Sequence, residues 1–333
     1  MTSAHADSAV PAGDAPAGTA GGGGGGSRSA GVTVVGSINV DEIVVVPRHP
    51  EPGETLLATS SALAPGGKGA NQAVAAARLG ADVHMVGALG DDDRAAVALS
   101  LLADAGVDLA GVSRADAPTG IARITVDAGG ENTIIVIPGA NARVDAAFVA
   151  AHEQAIAAAA VVVLQGEIPA TGSARAAELA TGRVLLNLAP VVEMPDAVLR
   201  TADPLVVNVH EARLLLTAWG DDGGDPDDGE AAGRLRRHGI RSVVLTRGEH
   251  GAVCVDAAGV TSISSPRVAA VDTSGAGDAF VGALAARLAA GDDLRTAAAF
   301  AVRVGAFAVR GAGTQPSYPW AGDALPESGE AAQ

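Results

Sequence analysis

The 333-residue sequence predicts an α/β fold, a doubly wound, mostly parallel sheet flanked by helices. One observation predicts that fold and two more bound its core. From Val32 onward, short β-branched runs alternate with Ala- and Leu-rich stretches at helical spacing, the rhythm of βαβ units. Hydrophobic residues make up 48% of the chain, enough for one large domain with a sizeable core or for a domain plus a small accessory element. Aromatics are only 2%, so that core is packed with Ala, Val, Leu and Ile.

Residues 1–30 are Ala, Gly, Ser, Pro and Asp, with six consecutive glycines at 21–26. Such a segment buries nothing to offset its ordering entropy, so it is expected to be a disordered tail. A secretory signal needs a basic start and an apolar stretch, and neither is present. One domain is then expected over 31–322. Strands are predicted at 32–35, 83–87, 161–164, 184–188, 205–207, 242–246 and 252–255. Helices are predicted at 70–79, 94–104, 145–159, 174–180 and 211–219, and two more, 277–290 and 294–309, close the domain. Two regions break the rhythm and read as β-ribbons: 40–46 with 55–62, and 121–126 with 133–137. Asp127-Ala128-Gly129-Gly130 joins the second pair as a hairpin turn. Periodicity alone leaves open whether these strands form a separate small sheet or edges of the main one. Residues 220–229 read as a solvated loop, since their acids lack calcium-loop spacing. Residues 323–333 read as a second flexible tail.

Acidic residues outnumber basic ones 38 to 22, for a net charge of −16. A surface this acidic repels phosphate backbones and anionic lipid, so neither nucleic acid nor membrane is an expected partner. A nucleotide is still possible, because local backbone donors and a metal decide that. Cys254 is the only cysteine, which excludes an intrachain disulfide and fits a reducing, cytoplasmic setting. The seven histidines show no zinc-ligand spacing. No apolar run approaches the roughly 20 residues that span a bilayer.

The strongest chemical motif is Asp272-Thr273-Ser274-Gly275-Ala276-Gly277-Asp278-Ala279-Phe280. A turn of small residues runs into a helix start, where exposed N–H groups and the helix dipole favour an anion. Asp278, in the first helical turn, is placed to take a proton from a hydroxyl attacking a phosphate. A plain helix cap explains an Asp but not the Gly-Ala-Gly before it. A dinucleotide fingerprint wants Gly where Phe280 stands. In Gly66-Gly67-Lys68-Gly69-Ala70-Asn71-Gln72, backbone amides with Lys68 and Asn71 offer many donors, a surface suited to a polyol. It is not a Walker A loop, since Gly69 stands where Ser or Thr follows the Lys and Ala62 where the first Gly belongs. A bare glycine-rich helix start is the plainer alternative. Asn39 and Asp41 share one face of an extended segment after the first strand, as ligand-binding groups or as part of a strand-end turn. Asn208-Val209-His210-Glu211 follows a strand, as a helix cap or with Glu211 as an oxygen ligand for Mg²⁺. Thr246-Arg247-Gly248-Glu249-His250-Gly251 reads by itself as a hairpin turn.

Together these segments resemble the ribokinase branch of the ribokinase-like carbohydrate kinases, over about residues 32–320. Gly-Gly-Lys-Gly-Ala-Asn at 66–71 and Asp-Thr-x-Gly-Ala-Gly-Asp at 272–278 are that family's two signatures. The segment Gly313-Thr314-Gln315-Pro316-Ser317-Tyr318-Pro319-Trp320 is similar to its C-terminus. The resemblance implies a kinase domain with a small β-sheet lid, its strands at about 40–64 and 119–138, over the sugar, and a homodimer made through the lid. It implies ATP, Mg²⁺ and K⁺ as cofactors and D-ribose as substrate, phosphorylated at its 5-hydroxyl. Asn39, Asp41, Gly67, Lys68, Asn71 and Glu167 would hold the sugar. Asn208 would sit near the ATP phosphates, residues Thr246, Arg247, Gly248, Glu249, His250 and Gly251 would border the nucleotide, and Glu211 would organise Mg²⁺, directly or through water. Gly275, Ala276 and Gly277 would form the anion hole and Asp278 the base, the last two also meeting ATP. Asp272, Ser274, Ala308, Gly311, Gly313 and Ser317 would bind the monovalent cation. Val302 departs from the polar residue that ribokinases often place near adenine. The run 208–211 replaces a commoner acidic or Thr-containing version but keeps its Asn and Glu.

Three other functions compete. A deoxyribose, fructose or nucleoside kinase lies within the same family; the predicted lid strands carry no aromatic to hold a base, which favours a bare sugar. A non-catalytic sensor on the same scaffold is the second, though Asp278, Glu211 and the glycine-rich hole are all present. A nicotinamide-dependent dehydrogenase lacks its fingerprint after the first strand, where Gly36-Ser37-Ile38-Asn39 stands.

Overall fold

Val32–Val35 (β1) is all β-branched and buried on both faces, the pattern of a central parallel strand. The computed structural model describes residues 31–221, 224 and 226–327. After β1 come β2 (Asn39–Val45), β3 (Ser60–Gly66), α1 (Lys68–Arg78), β4 (Val83–Leu89), α2 (Arg94–Asp104), β5 (Asp108–Arg114), β6 (Gly120–Val126) and β7 (Asn132–Ile137). Then follow α3 (Ala146–Ala150), α4 (Glu153–Ala157), β8 (Val161–Gln165), α5 (Ala170–Leu179), β9 (Arg183–Asn187), α6 (Asp196–Thr201), β10 (Ala202–Asn208) and α7 (Val209–Ala218). The chain continues through α8 (Asp228–Arg237), β11 (Val243–Thr246), β12 (Ala252–Asp256), β13 (Gly259–Ile263), α9 (Ala276–Ala289) and α10 (Leu294–Ala308).

The large sheet runs β13-β12-β11-β10-β9-β8-β1-β4-β5. Its strands pair in parallel except β12, antiparallel to both neighbours. Successive residues of a strand face opposite sides, so Val34 of β1 joins a core with α1, α9 and α10, while Val35 joins another on the far face. That is the doubly wound architecture expected from the rhythm. Parallel strands all end on one edge, and β8, β9, β10 and β11 end there on Gln165, Asn187, Asn208 and Thr246 after apolar runs. This edge is where open parallel sheets bind ligands.

The two ribbons form a separate sheet, ordered β3-β2-β6-β7. Glu42 of β2 fixes it to the large domain: Arg94 of α2 donates to Glu42 Oε1 at 2.8 and 3.1 Å, and Arg123 of β6 lies 3.2 Å from Oε2. The next residue back, Asp41, therefore faces the other side of this sheet.

Several elements differ from the sequence expectation. The strand expected at 55–62 lies at Ser60–Gly66, because pairing Val45 with Ser60 and Asn39 with Gly66 carries it up to the turn into α1. The helix expected at 145–159 is broken into α3 and α4, since His152, at φ −109° and ψ 18°, leaves helical geometry. The loop expected over 220–229 ends early: Asp227 accepts from Glu230 N at 2.8 Å and caps α8. Residues 325–327 of the expected flexible tail are held by Arg303, which donates to Leu325 O and Pro326 O and pairs with Glu327. The tail expected over 1–30 lies outside the described residues, as do 328–333.

Candidate active site

Asp278 enters α9 at its third position. Gly275 precedes the helix at φ 71°, and a Cβ there would stand 2.2 Å from Thr314 Cγ2, so only glycine fits. No side chain caps this helix. The N–H groups of its first turn have no acceptor within the helix; Ala276 N reaches back to Thr273 O at 3.4 Å, and those of Gly277 and Asp278 point to where a ligand would be bound.

Asp278 is 7% exposed and opens onto a cavity of about 150 Å³, shared with Lys68, Asn187, Asn208, Glu211, Gly275 and Gly277. Asn71 Nδ2 donates to Asp278 Oδ2 at 2.9 Å and Gln72 Nε2 to Oδ1 at 2.8 Å. The signature at 66–71 and the signature at 272–278 thus meet across the interface of α1 and α9. The Asp278 carboxylate holds the Lys68 ammonium above its usual pKa, against burial.

Of the residues expected to hold the sugar, Lys68 lines this cavity, Asn71 is bonded to Asp278, and the Glu167 and Asp41 carboxylates lie near enough to Lys68 to act on its charge. Glu167 Oε2 accepts from Ser37 Oγ at 2.6 Å and from Lys68 N at 3.1 Å. Burial, then the nearby Glu167 and Asp278 carboxylates, push the Asp41 pKa up to about 7, while Lys68 opposes the shift. Asn39 Oδ1 accepts from Asn141 Nδ2 at 2.6 Å. A Cβ at Gly66 would stand 2.0 Å from Asp41 Oδ1, and one at Gly120 2.2 Å from Asn39 Oδ1, so both polar groups need glycine neighbours.

Asn208, Thr246 and Gly277 continue the small cavity into a groove of about 970 Å³. Gly248, Glu249, His250 and Gly251 border it on one side, and Phe280 and Val302 on the other. The run 246–251 is therefore both a hairpin turn and a groove wall. Arg247 is the exception. Its guanidinium turns back to donate to His250 O at 2.9 Å and lies 3.8 Å from Asp228. Asn208 and Glu211 form a capping box: Glu211 N donates to Asn208 Oδ1 and Asn208 N to Glu211 Oε2, each at 2.8 Å. One Glu211 oxygen thus caps α7 while the side chain also faces the cavity. Burial raises the Glu211 pKa, opposed by the Asn208 N–H.

Asp272 joins the loop before α9 to the loop after α10, accepting from Ser274 N at 2.8 Å and Gly313 N at 2.9 Å. Burial works against its charge, yet these N–H groups hold its carboxylate below the usual range. Gly311 packs against Ser317, Gly311 N donates to Ala308 O, and Ser317 Oγ donates to Thr314 O at 2.9 Å. The six expected cation residues therefore lie on the loop before α9, at the last residue of α10 (Ala308) and on the segment after it. Among the described residues no cluster of three or more His, Cys, Asp or Glu has metal-binding geometry.

Sequence reasoning missed the buried amides Gln72, Asn141, Gln165, Asn187 and Gln315. The signal was there for two of them: Gln165 and Asn187 each close an apolar strand with a polar residue.

The chain matches the family model for pfkB family carbohydrate kinases over residues 29–321. It is 37% identical to a ribokinase of Schizosaccharomyces pombe over 300 residues, 86% of this chain and 94% of that one. A deoxyribokinase of Salmonella typhi is 35% identical over 294 residues, 86% of this chain and 95% of that one. The solved ribokinase of Thermotoga maritima superposes with a TM-score of 0.82 at 31% identity, covering 88% of this chain and 97% of its own. The ribokinase of Arabidopsis thaliana, solved with ribose and ATP, gives 0.79 at 29% with the same coverage. With both signatures brought to one cavity at the carboxyl edge of the sheet, and with these matches along nearly its whole length, the chain belongs to the pfkB family of carbohydrate kinases.

Proposed function

We propose that this protein transfers the γ-phosphoryl group of ATP to the 5-hydroxyl of D-ribose, giving D-ribose 5-phosphate and ADP. The observation that carries the reading is the meeting of Asp278 and Lys68 on a cavity that opens into a groove large enough for a nucleotide. The similarity to ribokinases over most of the chain supports it.

Asp41 and Glu167 accept hydrogen bonds from sugar hydroxyls, while Asn39, Asn71, Lys68 and the Gly67 backbone complete the sugar site. Asp278 takes the proton of the 5-hydroxyl as that oxygen bonds to the γ-phosphorus and the bond to the ADP oxygen breaks. Gly275, Ala276 and Gly277 offer their N–H groups to the charge spreading over the phosphoryl oxygens. Asn208, Thr246 and 248–251 border the nucleotide, and Arg247 holds that turn in shape from behind. Glu211 suits Mg²⁺ because its side chain faces the cavity and a carboxylate is a hard oxygen donor. When bound, Mg²⁺ neutralises charge on the phosphates. Asp272, with Ser274, Ala308, Gly311, Gly313 and Ser317, suits K⁺, since its carboxylate already ties the two loops together.

The small sheet is a lid in this reading, with Asp41 on the face turned to the sugar. On that face Ile43 pairs with Ile124 and Ile124 with Ile134, an apolar row that ends in the open. Ile134 is 53% exposed, and such a row suits a second copy of the lid. Use of ATP and the single buried cysteine fit a cytoplasmic setting.

Turnover of ribose, deoxyribose, fructose and adenosine with MgATP tests the reading, and no activity on either pentose overturns it. Deoxyribose is the second reading, because a deoxyribokinase at 35% identity falls within the range of the ribokinases. A kcat/KM for deoxyribose above that for ribose would select it. Asp278→Asn is expected to lower kcat by about 10²- to 10⁴-fold and to leave sugar affinity largely intact.

A further inference from the structure

We propose that Gln72 is a positioning residue for phosphoryl transfer, held by Gln165 and Asn187 so that it aims the Asp278 carboxylate at the substrate hydroxyl. The inference rests on reading Asp278 as the base.

Gln72 is fully buried, on the first turns of α1, and every hydrogen-bonding group of its amide is used. One N–H goes to Asp278 Oδ1 at 2.8 Å and the other to Asn187 Oδ1 at 2.9 Å. Its oxygen accepts from Gln165 Nε2 at 2.8 Å. An amide can turn over and present its oxygen instead of its nitrogen, and an oxygen facing Asp278 would repel it. The relay prevents this. Asn187 Nδ2 donates at 3.1 Å to Val206 O, a backbone carbonyl that only accepts. That fixes Asn187 Oδ1 toward Gln72, which fixes the Gln72 nitrogen toward both Asn187 and Asp278. Gln165 behind it completes the set.

The consequence falls on the base. An ionised carboxylate has about four acceptor positions on its two oxygens. Gln72 takes one on Oδ1 and Asn71 takes one on Oδ2. The remaining positions are those left for a substrate proton. The parts come from β8, β9, β10, α1 and α9, so the direction of the carboxylate is set by the main scaffold and not by a loop. Without the Gln72 donor, Asp278 turns about its side-chain bonds and reaches productive alignment less often. A change in alignment lowers kcat, while the sugar and nucleotide contacts that set KM stay in place.

Gln72→Met keeps the volume and removes the donor. Per folded molecule, kcat is expected to fall about 10- to 100-fold, with KM for sugar and for ATP within about threefold of wild type. Gln165→Met, one step back, is expected to cost about three- to tenfold in kcat. The double variant should be no slower than Gln72→Met alone, because Gln165 acts through Gln72. A kcat within threefold of wild type for Gln72→Met, losses that multiply in the double variant, or losses that track KM would each overturn the proposal. If Gln72→Met does not fold, Gln165→Met decides by the same split between kcat and KM. Asp278→Asn in the same assay separates the two readings. If it abolishes transfer while both glutamine variants behave as wild type, only the positioning role fails. If it turns over normally, the base lies elsewhere and both fail.

Discussion

Asp41 is half-buried, and with its pKa pushed up to about 7 it keeps a proton in the folded state that the unfolded chain releases at ordinary carboxylate pH. Between roughly pH 4 and 7 the folded state therefore binds more protons, so this group's contribution makes stability fall as pH rises through that window. Asp41→Asn removes the decline. Its melting temperature should match wild type near pH 4 and exceed it by several degrees at pH 8. A gap that does not widen between those values would show that Asp41 is not desolvated as its surroundings imply. The same substitution should weaken sugar binding, the usual exchange of stability for function at a site.

At the scale of the element, α7 shows one residue in two offices. Asn208 and Glu211 close its first turn as a capping box, and Glu211 also faces the cavity. Glutamine keeps the acceptor of the box but loses the charge. Glu211→Gln should therefore melt close to wild type yet need roughly tenfold more Mg²⁺ for half-maximal turnover. Glu211→Ala should lose about 1 kcal/mol of stability as well. Thermal melts with a Mg²⁺ titration check both. An unchanged Mg²⁺ requirement in the glutamine variant would reduce Glu211 to a cap. The elements themselves were legible where the pattern was strong: β1 and α2 have the bounds expected from the sequence. The strand expected from 55 was displaced because pairing with β2, not local propensity, set its register. α8 was hidden because Asp227 and its acidic neighbours look like a loop until a cap is seen to be their role.

At the scale of the molecule, the two faces of the small sheet differ. Glu42, with Arg94 and Arg123, pins one face to the large domain, while the Ile43–Ile124–Ile134 row leaves the other apolar and partly exposed. β7 is also an open sheet edge. Ile134→Lys places a charge in that row. Sedimentation should find wild type as a dimer at micromolar concentration and this variant as a monomer. A monomeric wild type would sink the lid-to-lid contact. No described helix is long and apolar enough to cross a membrane.

The sequence by itself determined the doubly wound architecture, because two periodicities repeat along contiguous residues, and it determined both signatures, because each lies within a single short run. It also put Asp278 and Glu211 in the first turns of their helices. Only the tertiary structure decided that the ribbons form their own sheet, that the Arg247 guanidinium bonds back to its own turn, and that Gln72 reaches Asp278 across 206 positions of chain. Local pattern records which face of an element is apolar. It holds no record of which distant donor a buried amide meets, since that partner is chosen by how the packed elements cross.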